Sequence, residues 1–110
     1  MKQGEIWFVE FTGQGHEYQK TRPAVVVESN GQLKVTSVIT VVPITKQQEK
    51  HKDDIFIAKD ENNKLLYDSV IKAHQIQTFD KSRFIKKIGD TDKETMEKIK
   101  TYLRRHFEIW

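Results

Sequence analysis

Short apolar runs rich in β-branched residues are the feature that most constrains the fold of this chain. Their composition, their alternation and the polar turns between them predict strands. The predicted strands are residues 5–11, 23–29, 33–45, 54–58, 65–79 and 84–88, the fifth being one bent strand or two.

Turn residues separate these strands. Asn30-Gly31 predicts a hairpin turn. Pro43 cannot donate a ladder hydrogen bond, so we expect it at an edge or a bulge near the end of the third strand. Asp80 is expected to cap a single turn over residues 81–83. Polar stretches predict the remaining connections, at 12–21, 46–54 and 60–63.

One helix is predicted, at the C-terminal end. Thr91 and Glu94 have the spacing of a capping box. An apolar stripe at spacings of three and four follows, made of Met96, Ile99, Leu103 and Phe107. Several short strands and one terminal helix predict a mainly β fold, a small and strongly bent antiparallel sheet or barrel with the helix packed on it. The 110 residues are expected to form one domain, 1–110.

Charge is unevenly distributed along the chain. Residues 81–110 contain 9 Lys/Arg and 5 Asp/Glu, a net +4, and the other residues contain 10 and 11, a net −1. A basic end suits a polyanion or an acidic protein partner, and a solvated basic helix accounts for it equally well.

The composition also bears on compartment. The chain contains no cysteine, which excludes disulfides and thiolate metal sites. Its first residues, MKQGEIWFVEF, lack the apolar run of a signal peptide. No segment is apolar over the length that crosses a bilayer. We therefore expect a cytoplasmic protein.

Three polar residues stand at or near predicted strands. Arg22 precedes a buried strand, and Pro23 restricts it to an extended backbone, so its guanidinium is held ready for a phosphate or for a surface salt bridge. Thr45 closes the next strand, where it could simply turn the chain. His74 shares a predicted strand face with Lys72, which would lower the pKa of the imidazole and favour its neutral form.

The sequence lacks the motifs of several other kinds of chemistry. There is no Walker loop, no dinucleotide-binding glycine motif and no nucleophile elbow. The histidines at 16, 51, 74 and 106 do not have the spacing of metal ligands. We therefore expect neither a metal nor another cofactor, which leaves metal-free chemistry by arginine, threonine and histidine.

An ordered set of short motifs along nearly the whole chain resembles the MazF/PemK/Kid family of bacterial toxin endoribonucleases. The motifs are Gly4-Glu5-Ile6-Trp7-Phe8-Val9, Gly15-His16-Glu17, Lys20-Thr21-Arg22-Pro23-Ala24-Val25-Val26-Val27, Val41-Val42-Pro43-Ile44-Thr45, Asp68-Ser69-Val70-Ile71, the segment from Gln75 to Arg83, and Ile88-Gly89. Each motif is weak by itself, and their order and separation carry the resemblance.

The resemblance implies an SH3-like antiparallel β-barrel with a C-terminal helix, usually a homodimer. It implies the toxin of a type II toxin–antitoxin system, a metal-independent and sequence-specific endoribonuclease of single-stranded RNA. Attack by the 2′-hydroxyl would leave a 2′,3′-cyclic phosphate and a 5′-hydroxyl. The implied partners are the RNA substrate, an acidic antitoxin and, indirectly through the antitoxin, DNA.

The resemblance also implies roles for individual residues. Arg22 would stabilise negative charge on the phosphoryl oxygens, and Thr45 would donate a hydrogen bond to them. Contacts to RNA are expected from Glu17, Lys46, Lys72, Gln75 and Arg83.

The proton transfers are where this chain departs from the family pattern. The family commonly has an acidic residue just before Gln75, and this chain has His74 there. Lys72 stands where one branch of the family has arginine. We therefore expect His16 and His74 to be the candidates for proton transfer, with His74 replacing the acidic base.

Two alternatives stay open. Gyrase-binding toxins of the CcdB type share the fold class and act through the end of the C-terminal helix, where this chain has the apolar segment Phe107-Glu108-Ile109-Trp110. They lack the Arg-Pro and Pro-x-Thr motifs. The other alternative is a non-catalytic nucleic-acid-binding barrel in which His74 marks lost activity.

Overall fold

The computed structural model confirms the predicted class, mainly β with a C-terminal helix. It describes residues 1–11, 20–46 and 51–109. The strands are β1 (Glu5–Phe11), β2 (Lys20–Val26), β3 (Val38–Lys46), β4 (Ile55–Ile57), β5 (Ser69–Ile71), β6 (Gln77–Asp80) and β7 (Phe84–Asp90). The helices are α1 (Asn30–Leu33) and α2 (Lys93–Phe107), and 3₁₀ turns span Ala73–Gln75 and Lys81–Arg83.

The strands form one antiparallel sheet in the order β4-β5-β3-β2-β1-β7. Strand β6 pairs with the first half of β3, beside the place where β5 pairs with its second half. Within the described residues no pairing joins β4 to β7, so the sheet is not a closed ring of strands. None of the helices in the described part of the chain is long and apolar enough to cross a membrane.

Residues 24–26 of β2 and 41–44 of β3 are buried on both faces of the sheet, which explains their continuous apolar sequence. Alternate residues point to opposite faces of a strand. Val25 and Val42 therefore pack with α2 in one core, while Val26 and Val41 pack with Phe11 and Phe79 in the other. The chain is thus built as two small cores on either side of a shared central sheet.

The predicted hairpin turn at Asn30-Gly31 is wrong. These residues begin the short helix α1, because the Ser29 hydroxyl accepts a hydrogen bond from the backbone N–H of Gln32 and caps it. Leu33 is buried in the second core, and β3 begins only at Val38. The local cap and one apolar anchor outweigh the turn preference of Asn-Gly.

Pro43 does not lie at an edge of the sheet. It is fully buried opposite Ala24 of β2. On its other side the pairing with β6 ends at Val41 and that with β5 begins at Ile44. The missing N–H of proline therefore falls where the neighbouring strand changes, and the Pro43 carbonyl still accepts from the N–H of Lys72 at 2.9 Å.

Residues 65–79 were predicted to form one bent strand or two strands. The structure contains two, β5 and β6. A 3₁₀ turn separates them, closed by the hydrogen bond from the Gln75 N–H to the Lys72 carbonyl. His74 lies in this turn and not on a strand, so the predicted strand face shared by Lys72 and His74 is wrong. The predicted turns at 60–63 and 81–83 are confirmed, the latter capped by Asp80.

Helix α2 starts one residue later than the capping box predicts. Asp92 is its cap and accepts from the Thr95 N–H at 2.6 Å. The Thr91 hydroxyl instead donates to the Gly4 carbonyl, which ties the helix start to the start of β1. Of the predicted stripe, Met96 and Ile99 are buried, Leu103 is half-buried and Phe107 is exposed; Tyr102 is buried as well.

Candidate active site

Arg22 and Thr45 lie two residues beyond the last pair of β2 with β3. That last pair is Ala24 with Pro43, so both residues follow the point where the two strands separate. Beyond Pro43, β3 takes β5 as its neighbour, with Thr45 opposite Val70. This divergence opens the sheet at the predicted phosphate-binding pair.

Both residues line a cavity of about 360 Å³. Its walls are Phe8, Lys20, Arg22, Pro23, Ile44, Thr45, Lys46, Lys64, Leu65, Leu66, Tyr67, Ser69 and Ile88. Four of these residues are cationic, and none of the described residues that line the cavity is acidic. A concave site with this charge suits a polyanion.

The backbone and an aromatic ring position the Arg22 side chain. Arg22 is paired with Val9 of β1, and Pro23 with Phe8. The guanidinium carbon lies 5.6 Å from the centre of the Phe11 ring, a cation–π arrangement. Arg22 is half-buried. The guanidinium is therefore held by the strand and by Phe11, and Arg22 is one of the residues that line the cavity.

An aromatic residue stands at the rim of the cavity. The Lys46 ammonium lies 4.4 Å from the centre of the Tyr67 ring. Tyr67 is 53% exposed and its neighbour Leu66 is 77% exposed. Cations beside exposed aromatic rings are the usual means of holding a single nucleic-acid strand, because phosphates bind the former and bases stack on the latter.

Four of the predicted site residues lie elsewhere. Lys72, His74, Gln75 and Arg83 do not line the cavity. Gln75 is exposed on the 3₁₀ turn, and the guanidinium of Arg83 lies 4.0 Å from the Glu10 carboxylate. Two further predicted residues, His16 and Glu17, lie outside the described residues. The structure thus brings together Arg22, Thr45 and Lys46.

Lys72 and His74 belong to a second polar group, which we call the His51–His74 cluster: His51, Asp54, Lys72 and His74. The two imidazole rings are stacked, with centres 4.2 Å apart and planes inclined by 16°. The Lys72 ammonium donates to Asp54 Oδ2 at 2.8 Å, and the backbone N–H of His51 donates to the same oxygen at 2.9 Å.

Burial and charge shift the pKa values in this cluster. Burial lowers the pKa of the His74 imidazole, and the nearby His51 and Lys72 lower it further, against the opposite effect of Asp54 and Asp53. The pKa of His74 is therefore lowered, as predicted, and burial is the main cause. Burial by itself would raise the pKa of Asp54, but the hydrogen bonds from Lys72 and from the His51 backbone outweigh it.

Some residues of the cavity and of the His51–His74 cluster could not be predicted from the sequence. Lys64 and Tyr67 line the cavity, yet the sequence shows them only as residues next to a turn and before the Asp68-Ser69 motif. For His51 the sequence shows only that its spacing from the other histidines is not that of metal ligands. Antiparallel pairing of β4 with β5 brings the residues before β4 beside those after β5, which places His51 against His74.

The fold and the cavity define a small antiparallel β protein with a cationic cavity at one end of its central strands. Residues 2–107 match the family described as PemK-like, MazF-like toxin of type II toxin-antitoxin system. The chain is 31% identical to Endoribonuclease EndoA of Bacillus subtilis over 90% of its length and 87% of the relative's. It is 28% identical to Endoribonuclease MazF of Staphylococcus saprophyticus over 90% of its length and 84% of the relative's.

The fold is also similar to that of solved MazF structures. MazF from Deinococcus radiodurans superposes with a TM-score of 0.82 at 20% identity, covering 99% of this chain and 97% of that one. A mycobacterial endoribonuclease in complex with its cognate antitoxin superposes with a TM-score of 0.79 at 19% identity, covering 100% and 97%.

This chain therefore belongs to the PemK-like, MazF-like family of toxins of type II toxin–antitoxin systems. The predicted family is confirmed, and so is the predicted enzyme class, endoribonuclease, which both curated relatives carry in their names. The barrel-like fold is that of the MazF structures.

Proposed function

We propose that this chain cleaves single-stranded RNA at a phosphate bound in the Arg22–Thr45 cavity. The 2′-oxygen attacks the adjacent phosphorus and forms the new P–O bond, while the bond from phosphorus to the 5′-oxygen breaks. The products are a 2′,3′-cyclic phosphate and a 5′-hydroxyl. No metal takes part in this reaction.

The observation that carries the proposal is the position of Arg22 and Thr45 in one cationic cavity. Negative charge grows on the phosphoryl oxygens as the 2′-oxygen attacks. A guanidinium fixed by its strand and by Phe11 stabilises that charge without having to reorganise. The Thr45 hydroxyl adds a hydrogen bond to the same oxygens.

A histidine accepts the proton of the 2′-hydroxyl in this mechanism, and a second group gives a proton to the leaving 5′-oxygen. His16 and His74 are the two candidates. Phe11 and Lys20, which flank the undescribed residues 12–19, are paired with each other, and Lys20 lines the cavity. This supports His16 as the base more directly than His74, which lies outside the cavity.

RNA outside the scissile phosphate is held by cations and aromatic surface in this proposal. Lys46 binds a phosphate and Tyr67 stacks a base beside the cavity. Glu17, Lys72, Gln75 and Arg83 contact the strand further along, and Gln75, being exposed, can read a base edge.

The partners of this chain follow from the same surface. Solved relatives include MazE-MazF complexes of Deinococcus radiodurans and the mycobacterial endoribonuclease with its antitoxin. We infer that an acidic antitoxin segment covers the cationic cavity here, that the toxin is a homodimer in the cytoplasm, and that DNA is bound only through the antitoxin. Light scattering that shows only monomer at micromolar concentration would contradict the homodimer.

The proposal is tested with a labelled single-stranded RNA in excess chelator. We expect cleavage to persist, with a cyclic phosphate on one product and a 5′-hydroxyl on the other. A matched RNA with a 2′-deoxy sugar at the cleavage site should be intact, because it lacks the nucleophile. Loss of activity in chelator, or cleavage of the deoxy substrate, would refute this mechanism.

A further inference from the structure

The His51–His74 cluster contains two buried polar atoms that the proposed reaction leaves unused when His16 is the base. Asp54 has a side chain only 8% exposed, and its Oδ2 accepts two hydrogen bonds. Its Oδ1 and the Nδ1 of His74 are buried and have no hydrogen-bond partner among the described residues. Burying a polar atom without a hydrogen-bond partner is unfavourable, so a ligand that satisfies these two atoms is favoured.

We propose that His51, Asp54 and His74 bind a divalent transition-metal ion of the zinc class. One ligand atom from each residue lies within 4.8 Å of the others. Two imidazoles and one carboxylate are a common ligand set for Zn²⁺, with water as the fourth ligand. Mg²⁺ and Ca²⁺ prefer oxygen ligands and are disfavoured here.

Metal binding requires one local movement. Each imidazole coordinates in the plane of its ring, so two stacked rings cannot share an ion until one of them turns. His51 is the ring that can turn, because its side chain is 44% exposed. His51 Nδ1 now accepts a hydrogen bond from the Asp53 backbone N–H at 3.1 Å, and turning the ring releases this bond. With Nε2 on the metal, Nδ1 carries the proton and can donate to the Asp53 carboxylate, which lies 3.9 Å away.

Lys72 opposes metal binding in this arrangement. Its ammonium lies 2.8 Å from Asp54 Oδ2 and neutralises the one anionic ligand. Removing that charge should strengthen the site, whereas removing a ligand should weaken it. Replacing a neutral histidine by glutamine leaves the net charge unchanged, so a loss of binding in that variant separates a built site from general attraction of cations to surface carboxylates.

The experiment uses untagged full-length protein that has been treated with chelator and then dialysed. Zn²⁺ is titrated by calorimetry, and Co²⁺ by its visible absorption, which reports the ligand geometry. We expect one ion per chain. His51→Gln, Asp54→Asn and His74→Gln should each weaken binding by about 10–100-fold or more.

Two further variants sharpen the test. Lys72→Met should tighten binding by roughly tenfold or more, because a unit charge close to the ion is removed. His106→Gln is the matched control, since His106 hydrogen-bonds Tyr102 on α2 and lies outside the cluster. His51→Gln keeps the test valid if the buried variants misfold, because His51 is exposed.

The proposal is overturned if the wild-type protein binds no ion specifically, or if His51→Gln binds as tightly as His106→Gln. Binding is measured without RNA. Failure of the metal site and failure of the proposed cleavage mechanism are therefore distinguishable.

Discussion

The Lys46 ammonium sits 4.4 Å from the centre of the Tyr67 ring, at the rim of the Arg22 cavity. Lys46 ends β3 and Tyr67 precedes β5, so the antiparallel pairing of these strands sets them side by side. The pair offers one site for a phosphate and one surface for a base, next to the proposed scissile phosphate.

This pair gives the first prediction. Lys46→Gln should weaken RNA binding and reduce the slope of log affinity against log salt by about 0.7–1, because one phosphate contact is lost. Lys98→Gln is the control, since Lys98 is an exposed lysine on α2 whose nearest acid is Glu94. Fluorescence anisotropy with an uncleavable deoxy-substituted strand measures both. Equal slopes for the two variants would remove Lys46 from the RNA-binding surface.

The second prediction separates the two histidines. A base with a reference pKa of about 6.5 accepts a proton only above its pKa, so cleavage should fall as the pH drops through that range. We expect His16→Gln to slow cleavage by about 10²–10⁴-fold and to remove this acid limb. We expect the cleavage rate of His74→Gln still to fall at low pH as in the wild type, because His74 lies outside the cavity.

Rates are measured at saturating protein in the presence of chelator, so that metal does not contribute. If His74→Gln loses the acid limb and His74→Asp restores cleavage with the limb at lower pH, His74 is the base. The proposal that His16 is the base is then wrong.

The third prediction concerns Gly89, which follows Ile88 in the last motif. A Cβ at this position would overlap the backbone of Asn62 and Asn63, so the turn at 60–63 can approach β7 only if residue 89 is glycine. Gly89→Ala should lower the free energy of unfolding by about 1–3 kcal/mol. Gly31→Ala is the control, because a Cβ there meets no atom within 4 Å. Similar melting curves for both variants would contradict this packing.

The fourth prediction uses the cap of α2. The hydrogen bond from the Thr95 backbone lowers the pKa of Asp92 in the folded state. The ionised cap therefore stabilises the fold above the unfolded pKa of about 3.9, and this contribution is lost as the pH falls through the lower folded value. Asp92→Ala should cost about 1 kcal/mol at neutral pH. The free energy of unfolding of Asp92→Asn should approach that of the wild type in acid. Urea unfolding that gives the same difference in free energy between the two proteins at every pH would contradict this.

Local sequence signals predicted much of the fold because they describe local causes. The alternation in Glu5–Phe11 and the apolar stripe of α2 both became elements at nearly the predicted bounds. The failures occurred where a competing contact decided the structure. Ser29 capped a helix where Asn30-Gly31 favoured a turn, and a 3₁₀ turn removed His74 from the predicted strand.

The site was predicted in part for a similar reason. Arg22 and Thr45 stand in recognisable motifs near strand ends, and both line the cavity beyond the point where β2 and β3 separate. Lys64 and Tyr67 reach the cavity from a segment with no motif of its own, so only the tertiary arrangement reveals them. The stacking of His51 on His74 also depends on the pairing of β4 with β5, which spacing in the sequence does not encode.

The central claim is that a fixed Arg22 stabilises the charge on the phosphate during cleavage. The most direct measurement is the single-turnover rate of RNA cleavage by Arg22→Ala, with its fold verified by circular dichroism. Arg105→Ala, at an exposed arginine of α2, is the control. We predict that Arg22→Ala is slower by about 10²–10³-fold or more while Arg105→Ala is unchanged. A folded Arg22→Ala protein that cleaves at the wild-type rate would contradict the account.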